Sequence, residues 1–481
     1  MGAQSLPPVA VLGAGVSGLA ALNLLADRGR IAALFSQGAP SKAPEAPVVV
    51  DADPVALAEA IRDFAPGTVV LSPGIPPHSD LVRALEGVEA ELTGEVQLAW
   101  DLTHRLDGSE EHPAWLCVTG TNGKTTTTGM LSSILQAAGK VAPAVGNIGF
   151  PITEAVRAPA DVFAVELSSF QLATLRSLGP LAAICLNIDA DHLDWHGSWE
   201  DYYRSKARVY DGVTRARVFF EDEPLTRKMA EEAADAENSA LVPLVFGDVP
   251  EGSIGTAGTS VFDRAFGKDG AGETLVDLSK IPLIARSGLE DPGANPLVRD
   301  ALAAIALARA AGVPAEAIEQ GLLSFTPQGH RRAVVDVPGA VTWVNDSKAT
   351  NVHAAAAAAA TVAPGRLIWL VGGDAKGQDL SPLFELAASR AKAIVLLGAG
   401  TSNISKLAQG LPKHVLVLDA SGPDGELALR NAVRASADLA APGDTVLLAP
   451  GCASWDQFAS YEQRGKVFED SVQELQVQKG D

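Results

Sequence analysis

The chain has 481 residues, of which 47% are hydrophobic and 20% are charged, and its formal net charge is −21 at pH 7. This length exceeds what one hydrophobic core supports and predicts about three domains, and the composition is that of a globular enzyme. The negative charge argues against nucleic acid and anionic membranes as partners, because their phosphates attract clusters of Lys and Arg.

Neither the cysteines nor the N-terminus indicates an exported protein. Cys117, Cys185 and Cys452 are too far apart for a disulfide framework, and we expect them to be thiols of the core. The N-terminus lacks a signal-peptide pattern, and no apolar stretch reaches the roughly 18 residues that span a bilayer. The sequence therefore predicts a cytoplasmic protein without membrane insertion, and we expect a monomer.

The first hundred residues predict a small parallel α/β domain. An apolar strand at 8–13 is followed by a helical pattern and by a second apolar stretch at 31–35, which together form a βαβ unit. The segment TVVLSPGI at 68–75 predicts a further strand that ends in a Pro/Gly turn.

The turn GAGVSG at 13–18 fits the dinucleotide-binding fingerprint. An NAD site would normally place Asp or Glu at the end of the second strand, where this chain has Phe35, Ser36 and Gln37. The backbone amides of such a turn can still hold a diphosphate. We therefore favour a UDP site over an NAD site.

A glycine-rich turn in the second block predicts phosphate binding. The segment VTGTNGKTTTT, which starts at Val118, lies between an apolar strand and a helical pattern and puts Gly120 and Gly123 in the turn. Amides of such a turn face a phosphate, Lys124 reaches the outer phosphates, and the Thr125 hydroxyl can bind Mg²⁺. The motif is shorter than the usual P-loop, because Val118 occupies the place of its first glycine. A solvated glycine turn is the alternative.

Polar residues follow two later strands of the same predicted sheet. Glu166 and Ser168 end the first of these strands. After the second strand come Asp191, His192 and Asp194, and the next helix carries Lys206. A lone loop histidine is more often a surface residue than a ligand, but hard oxygen ligands beside a triphosphate suit Mg²⁺. These residues therefore predict a magnesium site.

The rest of the chain predicts hairpins and a third α/β sheet. The stretch 246–280 is rich in Gly, Asp, Ser and Thr with short β-branched runs, which suits hairpins or an exposed insertion. Polar segments then recur at strand ends, namely HRR at 330–332, NDSKATN at 345–351, GGDAKG at 372–377 and APGCASWDQF at 449–458. Their cations would neutralise carboxylates and phosphates of a small substrate, although single charges of this kind usually belong to a solvated face.

Taken together, these motifs resemble those of the Mur ligase family. GTNGKTT, GNIG, ELSSFQL, DHLDWHG, YYRSKARVY, GHR, NDSKATN and CASWDQF occur in the family's order. With the GAGVSG turn before them and the EQRG segment after them, the resemblance extends from Gly13 to Gly465. The resemblance implies three α/β domains: an N-terminal Rossmann-like UDP-binding domain at 1–112, a central P-loop ATPase-type domain with a mostly parallel sheet at 113–327, and a C-terminal Rossmann-like amino-acid-binding domain at 328–481.

The resemblance also implies a reaction. It implies an ATP-dependent ligase of peptidoglycan synthesis that forms an amide bond through an acyl phosphate, with a pair of Mg²⁺ ions. NDSKATN, ELSSFQL and the CASWDQF ending imply D-glutamate as the amino acid and UDP-N-acetylmuramoyl-L-alanine as the acceptor.

Site residues follow from the same motifs. The implied ATP site consists of Gly120, Thr121, Asn122, Gly123, Lys124, Thr125, Thr126, Arg331 and Asp346. The implied metal ligands are Thr125, Glu166, His192 and Lys206, the last as a carbamate made with CO₂. The implied substrate contacts are Ser17, Ser72 and Gly74 for the uracil nucleotide, Asn147 for the muramoyl and metal site, and Thr350, Ser454, Trp455 and Tyr461 for glutamate. Catalysis is assigned to Lys124, His192, Lys206, Lys348 and Lys376.

The sequence departs from the family pattern in two segments. A family helix usually carries HN-x-x-N, whose last Asn touches adenine, whereas this chain reads GANPLVRDA with Ala294 and Arg299 at the corresponding places. The second N-terminal strand lacks the charged residues that relatives carry near Gln37. The resemblance therefore assigns no residue of these two segments to adenine or to the uridine diphosphate.

Three other classes of function are compatible with some of these motifs. A superfamily ligase that adds another amino acid, or a folylpolyglutamate synthase, is the nearest alternative. A nicotinamide oxidoreductase is disfavoured, because the second strand lacks the acidic residue that would bind the ribose of NAD. An ATP-dependent switch without catalysis explains neither the third block nor the cluster around His192.

Overall fold

The computed structural model describes residues 6–40, 42–104, 112–233, 239–267, 272–327, 333–335, 337, 339–375, 378–399 and 402–479. The chain divides into two compact units, Met1–Phe325 and Thr326–Asp481. The first unit contains two β-sheets and the second contains one. Among the described helices, none combines the length and the apolar character that a bilayer crossing requires.

The first sheet is wholly parallel, with the strand order β3-β2-β1-β4-β5. Its strands are β1 Val9–Leu12, β2 Ala32–Ser36, β3 Val48–Val50, β4 Thr68–Leu71 and β5 Glu91–Gly94. Its helices are α1 Val16–Asp27, α2 Pro54–Phe64, α3 Asp80–Ala84 and α4 Glu95–His104. All four residues of β1 are buried, as expected of a central parallel strand that is covered on both faces.

The second sheet has the order β14-β13-β12-β11-β10-β9-β6-β8-β7. Its strands are β6 Ala114–Thr119, β7 Ala144–Gly146, β8 Val162–Glu166, β9 Ala182–Cys185, β10 Ala216–Phe220, β11 Ala240–Phe246, β12 Ile254–Ala257, β13 Ser260–Asp263 and β14 Glu273–Asp277. The pairs β12/β13 and β13/β14 are antiparallel, which confirms the hairpins predicted for 246–280.

Helices follow most of these strands. They are α5 Lys124–Ala137, α6 Ile152–Ala155, α7 Ser169–Ala173, α8 Leu193–His196, α9 Trp199–Ala207, α10 Pro224–Glu231, α11 Pro282–Ala285, α12 Pro296–Ala310 and α13 Ala315–Ser324, with 3₁₀ turns at Arg208–Tyr210 and Leu278–Lys280. The helix α12 begins where Asn295 accepts a 2.9 Å hydrogen bond from the Leu297 amide and Pro296 takes the first helical position. It packs against α5, which starts at the glycine-rich turn.

The two sheets of the first unit share one hydrophobic core. Val11 and Leu25 of the first sheet's layer belong to the same cluster of buried side chains as Trp115 and Phe163 of the second. The burial of this apolar surface holds the two sheets together. Cys117, Cys185 and Cys452 are buried and free, as expected for core thiols.

The third sheet, in the second unit, has the order β15-β16-β20-β17-β18-β19 and is parallel except for the pair β15/β16. Its strands are β15 Ala333–Val334, β16 Thr342–Asn345, β17 Leu367–Gly372, β18 Ala391–Leu397, β19 Leu416–Asp419 and β20 Thr445–Leu448. Its helices are α14 Val352–Ala360, α15 Ser381–Arg390, α16 Ser402–Gln409, α17 Gly425–Leu439 and α18 Tyr461–Lys479. The predicted fold class, three α/β domains with mostly parallel sheets, is confirmed, whereas the boundaries near 112 and 327 stay predictions.

Candidate active site

The glycine-rich turn joins the central strand β6 to α5. Gly123, the last residue before α5, has a φ of 84°, in the left-handed region that favours glycine. A side chain at this position would collide with the carboxylate of Asp300 on α12. Asp300 also accepts a 3.2 Å hydrogen bond from the Thr127 hydroxyl, which ties α12 to the first turn of α5. The predicted ATP contact Thr126 is half-buried and lies in the same helical turn as Thr127.

Asn187, which follows β9, fixes the shape of the turn. Its Oδ1 atom accepts hydrogen bonds from the amides of Thr121 and Asn122 at 3.1 and 2.9 Å. Its Nδ2 atom donates to the Asn122 carbonyl at 3.3 Å, and its own carbonyl accepts from the Thr121 amide at 3.0 Å. Asn187 was not predicted as a site residue, although it stands in the LNI segment directly before the predicted ligands.

Two lysines meet at the carbonyl oxygen of Gly120. Lys124 Nζ donates to it at 2.8 Å and to the Thr121 carbonyl at 2.9 Å, and Lys206 Nζ donates to the same Gly120 oxygen at 2.7 Å. Lys206 is only 2% exposed. Burial, and then the nearby charge of Lys124, lower the pKa of Lys206 to about 7, while the carboxylates of Asp191 and Glu166 act in the opposite direction.

Glu166, the last residue of β8, has a hydrogen-bond partner for each carboxylate oxygen. The Thr125 hydroxyl donates to Oε2 at 2.6 Å, and Asn147 Nδ2 donates to Oε1 at 2.8 Å. Glu166 is 1% exposed. A hydroxyl and a carboxylate side by side are oxygen donors of the kind that Mg²⁺ takes, so this pair fits the expected metal.

His192 and its neighbours lie after β9. His192 has a φ of 53°, one of two positive values among the described non-glycine residues. Such strain concentrates at functional sites. Its Nε2 atom lies 3.6 Å from Asp191 Oδ2, and its ring centroid lies 4.7 Å from that of Phe170. Asp194 is exposed in the first turn of α8. Within the described ranges, no three side chains of His, Cys, Asp and Glu form a group that could hold a metal ion.

A cavity of 510 Å³ opens beside Asn147. Its lining includes Gly13, Ser17, Ser72 and Gly74 from the first sheet and Asn147, Ser168, Phe170 and Gln171 from the second. The structure therefore brings together the four residues expected at the acceptor nucleotide and muramoyl groups. Ser72 Oγ donates to the Gly13 carbonyl at 3.3 Å, which connects the two turns of the first sheet. Gln37 lies apart from this lining and donates to the Ala52 carbonyl at 3.1 Å.

Gln171 is one of the cavity residues that were not predicted individually, although it belongs to the quoted ELSSFQL motif. Its side chain and that of Ser168 form a capping box at the start of α7. Gln171 Oε1 accepts from the Ser168 amide at 2.9 Å, and Gln171 Nε2 donates to Glu95 at 2.9 Å. The amide is therefore held at both ends.

A second cavity, of 780 Å³, lies near the start of α12 and is lined by Asp222, Phe246 and Ala294, among others. Arg299 stands beside it. Its guanidinium lies 4.1 Å from the centroid of the Phe220 ring and pairs with Asp222 at 2.7 Å. Arg299 thus has protein partners at the position where the sequence departs from the family.

In the second unit, predicted residues gather where β16 and β20 end. Lys348 Nζ lies 5.0 Å from the centroid of the Tyr461 ring, and the Thr350 amide donates to the Lys348 carbonyl at 2.8 Å. Ser454 is 1% exposed and its hydroxyl has no hydrogen-bond partner among the described residues, whereas Trp455 is 73% exposed.

The buried Arg464 supports this part of the second unit. It donates to the Ser347 hydroxyl at 3.0 Å, to the Ser347 carbonyl at 2.8 Å and to the Cys452 carbonyl at 3.2 Å. It thereby connects the segments that carry Asp346 and Ser454. Burial lowers the pKa of Arg464 to about 10. Arg331 and Lys376 lie outside the described residues.

Comparison with known proteins identifies the family. Residues 118–244 match the Mur ligase middle domain, and residues 330–452 match the Mur ligase glutamate ligase domain. A pseudomurein peptide ligase type C from Methanothermus fervidus shares the fold, with a TM-score of 0.57 and 16% identity over 98% of this chain and all of its own. The chain belongs to the Mur ligase family.

Two similar relatives indicate which member of the Mur ligase family this chain resembles. A UDP-N-acetylmuramoylalanine--D-glutamate ligase from Streptomyces avermitilis is 40% identical over 475 residues, which cover 97% of this chain and 98% of the relative. A ligase of the same name from Thermobifida fusca is 42% identical over 419 residues, 85% of this chain and 84% of the relative. The resemblance predicted from the motifs is thus confirmed.

Proposed function

We propose that this protein joins D-glutamate to UDP-N-acetylmuramoyl-L-alanine in peptidoglycan synthesis, with conversion of ATP to ADP and phosphate. The observation that carries the proposal is the position of Glu166. One of its oxygens bonds to Thr125 at the start of the phosphate-binding helix, and the other bonds to Asn147 in the lining of the 510 Å³ cavity. A triphosphate on the turn and an acceptor in the cavity would therefore be neighbours.

The reaction needs an activated carboxylate. In the proposed sequence, an oxygen of the L-alanyl carboxylate attacks the γ-phosphorus of ATP, ADP leaves, and an acyl phosphate remains. The amine of D-glutamate then attacks the acyl carbon, loses a proton and displaces phosphate. Both substrates are anionic, so the first step depends on positive charge and on orientation.

The chain's own residues would supply that charge and orientation. Lys124 stands over the turn, where its ammonium would offset the repulsion between carboxylate and triphosphate. Thr125 and Glu166 would hold Mg²⁺, which neutralises phosphate charge when bound. Asn147 would hold the acceptor close to Glu166, and Ser17, Ser72 and Gly74 would contact its nucleotide.

Lys206 is proposed to act as a carbamate. A carbamate forms when a neutral amine attacks CO₂, with a new N–C bond and the loss of one proton. A pKa of about 7 leaves a large fraction of the Lys206 amine neutral at physiological pH. The product would offer carboxylate oxygens beside Glu166 and Asp191, where His192 is the proposed further ligand.

The glutamate site is proposed for the second unit, at Lys348, Thr350, Ser454, Trp455 and Tyr461, with Lys376 as a further cation. Ser454 supports this proposal, because a buried hydroxyl without a partner is costly unless a ligand satisfies it. Arg331 and Asp346 are proposed to contact ATP. Because ATP and UDP-linked sugars are cytoplasmic metabolites, the proposed reaction belongs to the cytoplasm.

One assay tests the proposal. Purified protein is incubated with ATP, Mg²⁺ and UDP-N-acetylmuramoyl-L-alanine, and phosphate release is measured with D-glutamate, L-glutamate and other amino acids. We expect release with D-glutamate and formation of the corresponding UDP-linked dipeptide by mass spectrometry. Turnover only with a different amino acid, or only with a folate acceptor, would contradict this proposal and indicate the function of another family member.

A further inference from the structure

We propose that Glu95 is a positioning residue for the acceptor cavity, acting through Gln171. This inference rests on the proposed function, since the cavity is assigned to the UDP-linked acceptor. Glu95 itself does not line the cavity, whereas Gln171 does. The role of Glu95 would be to hold the Gln171 amide in one orientation.

The hydrogen bonds around Gln171 define that orientation. Gln171 Nε2 donates to Glu95 Oε1 at 2.9 Å, while Gln171 Oε1 accepts from the Ser168 amide at 2.9 Å and from the Ser168 hydroxyl at 3.2 Å. If residue 95 had no hydrogen-bond acceptor, Gln171 Nε2 would lose its partner and only Oε1 would remain held, by Ser168. The side chain would then be free to turn about its terminal bond.

The burial of the Glu95 carboxyl destabilises the fold relative to an apolar side chain at the same place. It is 1% exposed, and its second oxygen, Oε2, has no hydrogen-bond partner among the described residues. Burial raises the pKa of Glu95 to about 7, against the effect of the Gln171 hydrogen bond. An apolar side chain of the same size would avoid this cost, so the carboxyl has to be explained by what it holds.

The contact also joins the two walls of the cavity. Glu95 is the first residue of α4 and follows β5 of the first sheet, whereas Gln171 is on α7 of the second sheet. The chain passes so close here that a side chain at Gly94 would collide with Thr174. Glu95 therefore connects the wall that carries Ser72 to the wall that carries Asn147.

The first experiment separates positioning from folding. Wild-type enzyme is assayed first, since failure to turn over the UDP-linked acceptor would remove the proposed function rather than this inference. We then expect Glu95→Met, which keeps the size of the side chain, to raise KM for the acceptor about tenfold while KM for ATP and D-glutamate change less than about twofold. Glu95→Gln, which keeps an acceptor oxygen, should restore a KM near that of the wild type.

Matched variants complete this test. The exposed Glu89→Leu, in the loop just before β5, serves as the control for loss of a negative charge. If Glu95→Met does not yield folded protein, Glu95→Ala takes its place. An unchanged acceptor KM, or an equal rise in KM for all three substrates, would overturn the proposal.

The second experiment asks whether Glu95 acts through Gln171. In a Gln171→Leu background, the further change Glu95→Met should raise the acceptor KM by less than about twofold, because the group that it positions is already gone. Additive effects of the two substitutions would show an independent role for Glu95 and would refute the assignment.

Discussion

Thr125 and Glu166 are joined by a 2.6 Å hydrogen bond, although 41 positions separate them in sequence. One is in the first turn of α5 and the other ends β8, so adjacent parallel strands deliver them to the same edge of the second sheet. The Glu166 oxygen that is not bonded to Thr125 accepts from Asn147. A single carboxylate thus lies between the proposed triphosphate and the proposed acceptor.

Replacement of Glu166 tests that position. Glu166→Gln should lower the rate of phosphate release about a hundredfold or more, because an amide offers no anionic oxygen to a metal ion. The dependence of the rate on Mg²⁺ concentration measures this loss. The exposed Glu200→Gln on α9 is the control. A variant with normal turnover and an unchanged Mg²⁺ requirement would be incompatible with the assigned role.

Lys124 is the expected phosphate contact of the turn. Lys124→Ala should reduce ATP-dependent phosphate release by about 10²- to 10³-fold, because it removes a cation that would face the transferred phosphoryl group. Lys140→Ala, which removes an exposed lysine shortly after α5, should behave as the wild type. Near-normal turnover of the Lys124 variant would count against this turn as the phosphate site.

The proposed carbamate on Lys206 makes the activity depend on pH and CO₂. The pKa of Lys206 is lowered to about 7, so the amine becomes protonated, and unreactive toward CO₂, as the pH falls below that value. We expect the rate to fall below pH 7 and to rise there when bicarbonate is added. Lys206→Ala should be inactive and partly rescued by short carboxylic acids. A fully active variant, or an inactive one that such acids do not rescue, would argue against the carbamate.

Asn187 should control the affinity for ATP. Asn187→Ala removes the acceptor for two amides of the glycine-rich turn, and we expect KM for ATP to rise about tenfold. KM for D-glutamate should stay the same, which distinguishes a loosened turn from general loss of structure. Thermal unfolding of the same variant provides the stability control. Equal changes for both substrates would contradict the prediction.

Glu95 should make stability depend on pH. Its pKa rises from 4.5 to about 7 on folding, chiefly through burial, so between these values the native state binds more protons than the unfolded state. Stability therefore falls as the pH rises from 5 to 8, by on the order of 3 kcal/mol from this residue. Melting temperatures of the wild type and Glu95→Gln should diverge over this range, with the variant the more stable at pH 8. Parallel curves would show that Glu95 does not titrate in this way.

Local patterns in the sequence predicted much of the fold and part of the site. The strand, the glycine-rich turn and the helix at Lys124 follow from residues that are adjacent in sequence. The end of β8 at Glu166 could be predicted for the same reason. Parallel strands align their carboxyl ends, so the proximity of Glu166 to the turn was also within reach.

The residues that the sequence reasoning missed depend on distant contacts. Asn187 meets Asn122 across 65 positions, and Gln171 meets Glu95 across 76, and no periodicity in the chain encodes these pairings. The buried Lys206 likewise donates its hydrogen bond to Gly120, 86 positions away. The left-handed backbone of His192 could not be predicted, because His adopts this conformation more often than most residues but still only in a small fraction of cases. The roles assigned to the site residues stay predictions, including those of the exposed Asp194 and of Arg331 and Lys376, which lie outside the described residues.

The core shared by the first two sheets limits how this protein can be shortened for ligand screening. A fragment that starts after residue 112 would keep the glycine-rich turn but would lose Gly13, Ser17, Ser72 and Gly74 from the cavity. It would also uncover Trp115 and Phe163, whose cluster includes side chains of the first sheet. The smallest piece suited to a search for acceptor-competitive compounds is therefore the whole first unit, Met1–Phe325.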